Sequence, residues 1–194
     1  MKDKKFGILL LGFGLIFGCG QKTEFKKPEP KISDFKILEN YTEFALKMEN
    51  SDTIKLLVNL SMCDWEEFDR IEITKTNDSV YLQIQEKIMS NDTPVKFPKV
   101  LYELENDTLN LENIMASFDI NHTEKISGPF FVITNPNEND TIILRTIGLG
   151  NRGKNILKYQ QLMMELYPKE MERHYNTYFG MTFREFNKGT IIEE

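Results

Sequence analysis

The sequence predicts an α+β fold: a mostly antiparallel β meander, open or closed into a barrel, with two C-terminal helices packed on it. Three observations lead there. A turn tripeptide recurs at Ser51-Asp52-Thr53, Asn77-Asp78-Ser79, Asn91-Asp92-Thr93, Asn106-Asp107-Thr108 and Asn139-Asp140-Thr141. Asn and Asp tolerate left-handed backbone and cap turns with their own side chains, and the hydroxyl residue opens the next strand. Between these turns apolar residues alternate with polar ones, the period of a half-buried strand. From Lys154 onward the period lengthens to that of a helix.

In chain order, Lys2, Lys4 and Lys5 form a basic head, and Phe6–Phe17 follow without a charged or hydrogen-bonding side chain. That run is too short to cross a bilayer, which takes roughly 20 residues, and suits a signal peptide. Ile16-Phe17-Gly18-Cys19 closes it and resembles the lipobox of bacterial lipoproteins. The resemblance implies removal of residues 1–18, acylation of Cys19 (palmitate included) and a lipid-anchored life in the cell envelope. Gly20 stands where an Asp would imply retention at the inner membrane, so the resemblance implies the outer membrane, its periplasmic or its surface face. A plain secretory signal and an uncleaved anchor are the alternatives. Residues 19–33, polar and carrying Pro28 and Pro30, read as a linker. Residues 34–194 read as a single globular domain, large enough to build a core without staples.

The formal charge is −6, and loss of three Lys and one Asp with residues 1–18 leaves −8. An acidic chain lacks the basic footprint of a nucleic-acid binder. After acylation one cysteine remains, Cys63, so no intramolecular disulfide forms. Beside Met62 and Trp65 it reads as a small buried hydrophobe, with an intermolecular bridge as the alternative.

Register reasoning places three hairpins. A two-residue turn at Asn77-Asp78 sets Ile73 opposite Leu82, Ile71 opposite Ile84 and Glu72 opposite Gln83, with the apolar pairs on one face. A turn at Asn106-Asp107 pairs Leu104 with Leu109 and Tyr102 with Leu111. A loop at Asn50–Asp52 pairs Met48 with Ile54, Leu46 with Leu56 and Phe44 with Val58. A fourth hairpin, Pro129–Thr134 with Thr141–Ile147, is apolar on both faces and is expected to sit centrally under a cover. Ile156, Tyr159, Met163 and Leu166 mark one helix over Lys154–Tyr167. Pro168 opens a second, lined by Met171, Tyr175, Tyr178 and Phe179, with Gly180 as its C-cap. Asp64–Phe68 reads as a connector.

Chemical leads are few. Gly148-Leu149-Gly150-Asn151-Arg152-Gly153 spells Gly-x-Gly-x-x-Gly between a strand and a helix. Dinucleotide binding also needs a second parallel strand closed by an acidic residue about 20 positions on, whereas Pro168 leads here into another helical segment. The humbler expectation is an anion at Gly150, Arg152 and Lys154. Asp64, Glu66, Glu67 and Asp69 form an acidic cluster that suits a hard cation such as Ca²⁺. The loop Asn135–Asp140 offers oxygens without the Gly and distal Glu of an EF-hand. A solvated acidic turn is the plain alternative for both. His122 and His174, with Cys63, show no zinc spacing and read as surface or boundary residues. No nucleophile elbow and no His-Glu-x-x-His appears. Asp followed by Ser or Thr and an apolar residue, at Thr53, Ser79, Thr108 and Thr141, resembles the O-glycosylation motif of exported bacterial proteins. No cofactor is expected.

These leads point to a cell-envelope lipoprotein, a non-catalytic binding or assembly subunit, with the membrane reached through its anchor and an envelope protein as partner. The alternatives are a lipocalin-like carrier of a small apolar ligand, a hydrolase of envelope glycans or lipids, and an immunity lipoprotein.

Overall fold

The computed structural model describes residues 33–88, 93–104, 108–118, 128–137, 140–182 and 184–185. The signal segment, Cys19, the linker up to residue 32 and His122 lie outside them. Two short helices, α1 (Ile37–Asn40) and α2 (Phe44–Lys47), precede β1 (Thr53–Asn59), β2 (Glu67–Thr76), β3 (Ser79–Ile88), β4 (Val95–Lys96) and β5 (Val100–Leu101). Then come α3 (Leu111–Ala116), β6 (Pro129–Thr134), β7 (Thr141–Arg145), α4 (Gly148–Leu166) and α5 (Pro168–Phe179). The strands form one open sheet in the order β4-β3-β2-β1-β6-β7, with β5 also on β3, and every pairing is antiparallel. The α+β expectation holds, in its open-sheet form.

The β2–β3 hairpin has the expected register: Ile73 faces Leu82, Ile71 faces Ile84 and Glu72 faces Gln83. Asn77 and Asp78 both take positive φ, 51° and 62°. That is the turn whose twist matches its flanking strands, and Asn and Asp enter it at low steric cost. Ile71, Ile73, Leu82 and Ile84 are buried on one face, where they meet Ile54, Leu56 and Val58 of β1. A one-residue slip would turn this whole set to solvent.

Two of the expected hairpins are corrected. Residues 44–48 form no strand; β1 pairs instead with β2 and β6. Phe44 and Met48 are buried while Leu46 is 76% exposed, so the spacing that matters is i, i+4 along α2 and its C-cap. Leu111 does not pair with Tyr102 as a strand. It opens α3, where Asn110 caps the helix by accepting from the Asn113 amide, and the Leu111 amide donates to the Tyr102 hydroxyl at 2.7 Å. The β6–β7 hairpin forms, but β7 is an edge strand and leaves Ile143 44% exposed. Cys63 is also corrected: it is exposed, in a turn with φ 51°.

The C-terminal helices appear where their periodicity placed them. Helix α4 starts six residues early, at Gly148, and buries Ile156, Tyr159, Leu162 and Met163. Pro168 sits at the start of α5 and Gly180 ends it at φ 64°, the left-handed conformation glycine adopts freely. Both helices pack on the apolar face of the sheet, and Tyr167 between them donates to the Leu82 carbonyl at 3.0 Å. Among the described residues no helix is long and apolar enough to cross a membrane.

Candidate functional site

The pleat of β2 puts residues 67, 69, 71 and 73 on one face, so two carboxylates, Glu67 and Asp69, continue the apolar Ile71–Ile73 row into the core. The β2–β3 register sets Glu86 directly across from Asp69. Helix α5 lays His174 over them, one turn beyond Met171 and beside Tyr175. Helix α4 adds Tyr159 and Gln160. Glu67, Asp69, Glu86 and His174 are all under 8% exposed, a cluster of buried ionisable side chains.

Nδ1 of His174 lies 2.8 Å from Oε1 of Glu86, and its Nε2 lies 4.0 Å from Oε2 of Glu67. The same Glu67 oxygen accepts from the indole N–H of Trp65 at 2.7 Å. The turn that closes the Met62–Trp65 bridge brings that indole in. Tyr159 donates to Oδ2 of Asp69 at 2.6 Å. Trp65, Tyr178 and Phe179 roof the cluster, with Phe179 5.4 Å from Trp65 and 5.7 Å from His174 between ring centres.

Burial dominates the electrostatics. It pushes the Glu67 carboxyl above its ordinary range, against the pull of His174 and the Trp65 hydrogen bond. It raises Asp69 much further, helped by the charge of Glu67, with the Tyr159 bond acting the other way. For His174 burial alone lowers the imidazole; the hydrogen bond to Glu86 and the surrounding carboxylates outweigh it, and the net shift is upward. Carboxylates shifted in this way, close to a cleft, mark a candidate functional site.

The cleft is a cavity of about 320 Å³ against this cluster, lined by Leu60, Met62, Trp65, Ile156, Leu157 and Phe179, with Gly153, Glu67 and Gln160. The Gln160 carbonyl Oε1 is buried and has no hydrogen-bond partner among the described residues. A second concavity, on the opposite sheet face among Lys55, Leu57, Arg70, Gln85 and Lys96, is ringed by exposed charged side chains.

The residues singled out in the sequence scatter. Of the acidic cluster, Glu67 and Asp69 enter the interior, whereas Asp64 and Glu66 point to solvent. His174 is corrected from a surface or boundary residue to one 2% exposed. Arg152 is buried and donates to the Asn59 and Ser61 carbonyls and to Asn59 Oδ1, each at 2.8 Å, while Gly150 and Lys154 are exposed. In the 135–140 loop Asn135 is buried and accepts from the Asn137 amide. Of the hydroxyl residues, Thr108 and Thr141 are exposed and Thr53 and Ser79 half-buried. Sequence reasoning missed Glu86, Tyr159 and Gln160. One signal was available: the Ile73–Leu82 register, extended four residues, sets Asp69 against Glu86 on the core face. No protein-family model, curated protein or solved structure matches the chain.

Proposed function

We propose that this chain is a lipid-anchored, non-catalytic binding protein of the cell envelope, tethered through Cys19 at the outer membrane. It takes a small ligand with an apolar body and one hydrogen-bond donor into the cavity beside Trp65. One observation carries the ligand class: a cavity of about 320 Å³, apolar on most sides, is lined by Gln160, whose buried Oε1 has no hydrogen-bond partner among the described residues. Buried polar atoms are nearly always hydrogen-bonded, and cavities of this size and lining hold small molecules. The cavity lies between helix and strand, so the carrier reading is kept without a barrel lumen.

Trp65 is the single tryptophan and lines the cavity, so its emission reports occupancy. Medium-chain alcohols and 2-naphthol are expected to change that emission saturably, and matched hydrocarbons without the donor more weakly. Gln160→Met is expected to erase the difference. No saturable change with any probe overturns the ligand reading. Labelled palmitate that joins the wild-type chain but not Cys19→Ser supports the anchor, and no label on wild type overturns it. Glu67 favours a second reading, a hydrolase of envelope glycans or lipids, because a carboxyl raised by burial at a cavity wall suits a general acid. Turnover abolished in Glu67→Gln with probe binding intact distinguishes it.

A further inference from the structure

Three carboxylates and one imidazole share a buried space at one end of the sheet. Even with the imidazole protonated, ionised carboxylates outnumber it, and an interior holds such an excess only with bound protons or a counter-ion. Two polar atoms here have no hydrogen-bond partner among the described residues: Nε2 of His174 and Oδ1 of Asp69, on residues 2% and 6% exposed. One donor atom each from Glu67, Glu86 and His174 lies within 4.8 Å of the other two.

The two sides of the imidazole differ. Nδ1 is in hydrogen-bond contact with Glu86, whereas Nε2 faces a Glu67 oxygen across 4.0 Å, too far for a hydrogen bond. With the hydrogen on Nδ1 donated to Glu86, Nε2 presents a lone pair toward the Glu67 carboxylate. A zinc–nitrogen bond and a zinc–oxygen bond together span about 4.2 Å. The gap is therefore one that a cation fills, and a tetrahedral angle asks Glu67 to move by less than about 1 Å. A carboxylate holding the far N–H is also what fixes the tautomer of metal-bound histidines.

We propose that Glu67 and His174 bind a divalent cation, with His174 bonding through Nε2 and Glu86 holding its Nδ1–H. A mixed imidazole and carboxylate set favours zinc. Asp69 Oδ1 accepts from a water on the cation. The site stands independently of the cavity's ligand, whose donor meets Gln160.

The test uses the full chain carrying Cys19→Ser and Cys63→Ser, so that neither of its two cysteines competes for metal. After chelator treatment it is titrated with zinc chloride alone by calorimetry. One equivalent is expected to bind, and X-ray absorption of the loaded protein to show an imidazole nitrogen beside oxygens. His174→Asn is expected to abolish the heat. Glu86→Gln, a change at a positioning residue, is expected to weaken binding about 10- to 100-fold. Circular dichroism establishes that each variant is folded. No stoichiometric heat overturns the proposal, as does full affinity in folded His174→Asn. Should neither variant fold, an absorption spectrum of the loaded parent without an imidazole nitrogen overturns it.

Discussion

Tyr159 donates its phenolic hydrogen to Oδ2 of Asp69 over 2.6 Å, joining α4 to β2 in the interior. Among the described residues Asp69 Oδ1 has no hydrogen bond, and this contact is the one hydrogen bond to its side chain. Tyr159→Phe keeps the packing and removes the donor. It is expected to cost about 1–3 kcal/mol in urea unfolding, the penalty for an orphaned buried acceptor. Replacing both partners, Tyr159→Phe with Asp69→Val, is expected to recover most of that loss. A double variant no more stable than the single would show that the cost lies in packing.

The N-terminal helices make a contrasting prediction. Met48 is 2% exposed and Leu46 is 76% exposed. Met48→Ala is expected to cost about 2–5 kcal/mol through lost burial and a cavity. Leu46→Lys is expected to change stability by less than about 0.5 kcal/mol, the range for exposed positions. Equal losses from both, read from urea midpoints, would restore the strand reading of residues 44–48.

That pair also shows where the sequence misleads. Phe44, Leu46 and Met48 alternate, and alternation reads as a strand; Phe44 and Met48 are also four apart, which reads as a helix. Over five residues the two periods share their end points, and the tertiary contacts decide: Phe44 stacks on Tyr102 with ring centres 5.7 Å apart, while Leu46 has no place in the core. The β2–β3 hairpin was legible because Asn77-Asp78 fixes the turn and ten consecutive pairs follow from it. The buried cluster was half legible. The register that aligns Ile73 with Leu82 also aligns Asp69 with Glu86, and period two puts Glu67 on the same face. His174 was not legible, because its place depends on how α5 lies across the strands, a relation set by packing between distant segments.

Arg152 ties the first turns of α4 to the end of β1. Its guanidinium donates to Asn59 O, Asn59 Oδ1 and Ser61 O, all at 2.8 Å. Arg152→Met keeps much of the apolar stem and leaves those acceptors without their donor. It is expected to destabilise the chain by about 3 kcal/mol, since charge-assisted bonds are the stronger kind and all three share one side chain. Faster hydrogen exchange at residues 59–61 is expected alongside. Loss of less than about 0.5 kcal/mol would mean that water replaces the guanidinium without strain.

Glu112 is expected to add a pH dependence to the stability, apart from the cluster around His174. Its Oε2 accepts from the Tyr102 hydroxyl at 2.7 Å and its Oε1 from the Ala45 amide at 3.2 Å, so it links α3 to the residue that follows β5 and to α2. Burial raises its carboxyl above the ordinary 4.5, and those hydrogen bonds oppose the shift without cancelling it. The folded state therefore holds the Glu112 proton more tightly than the unfolded chain does. The stability this adds is fully present below the unfolded value and is lost as pH rises through the raised folded one. Glu112→Gln does not titrate. Relative to that variant, wild type is expected to lose unfolding free energy from about pH 4.5 upward, levelling once Glu112 is ionised in the folded state. Urea midpoints at half-unit steps from pH 4 to 8 measure the difference. Parallel curves across that range would show that Glu112 ionises in the folded protein as it does in the unfolded chain.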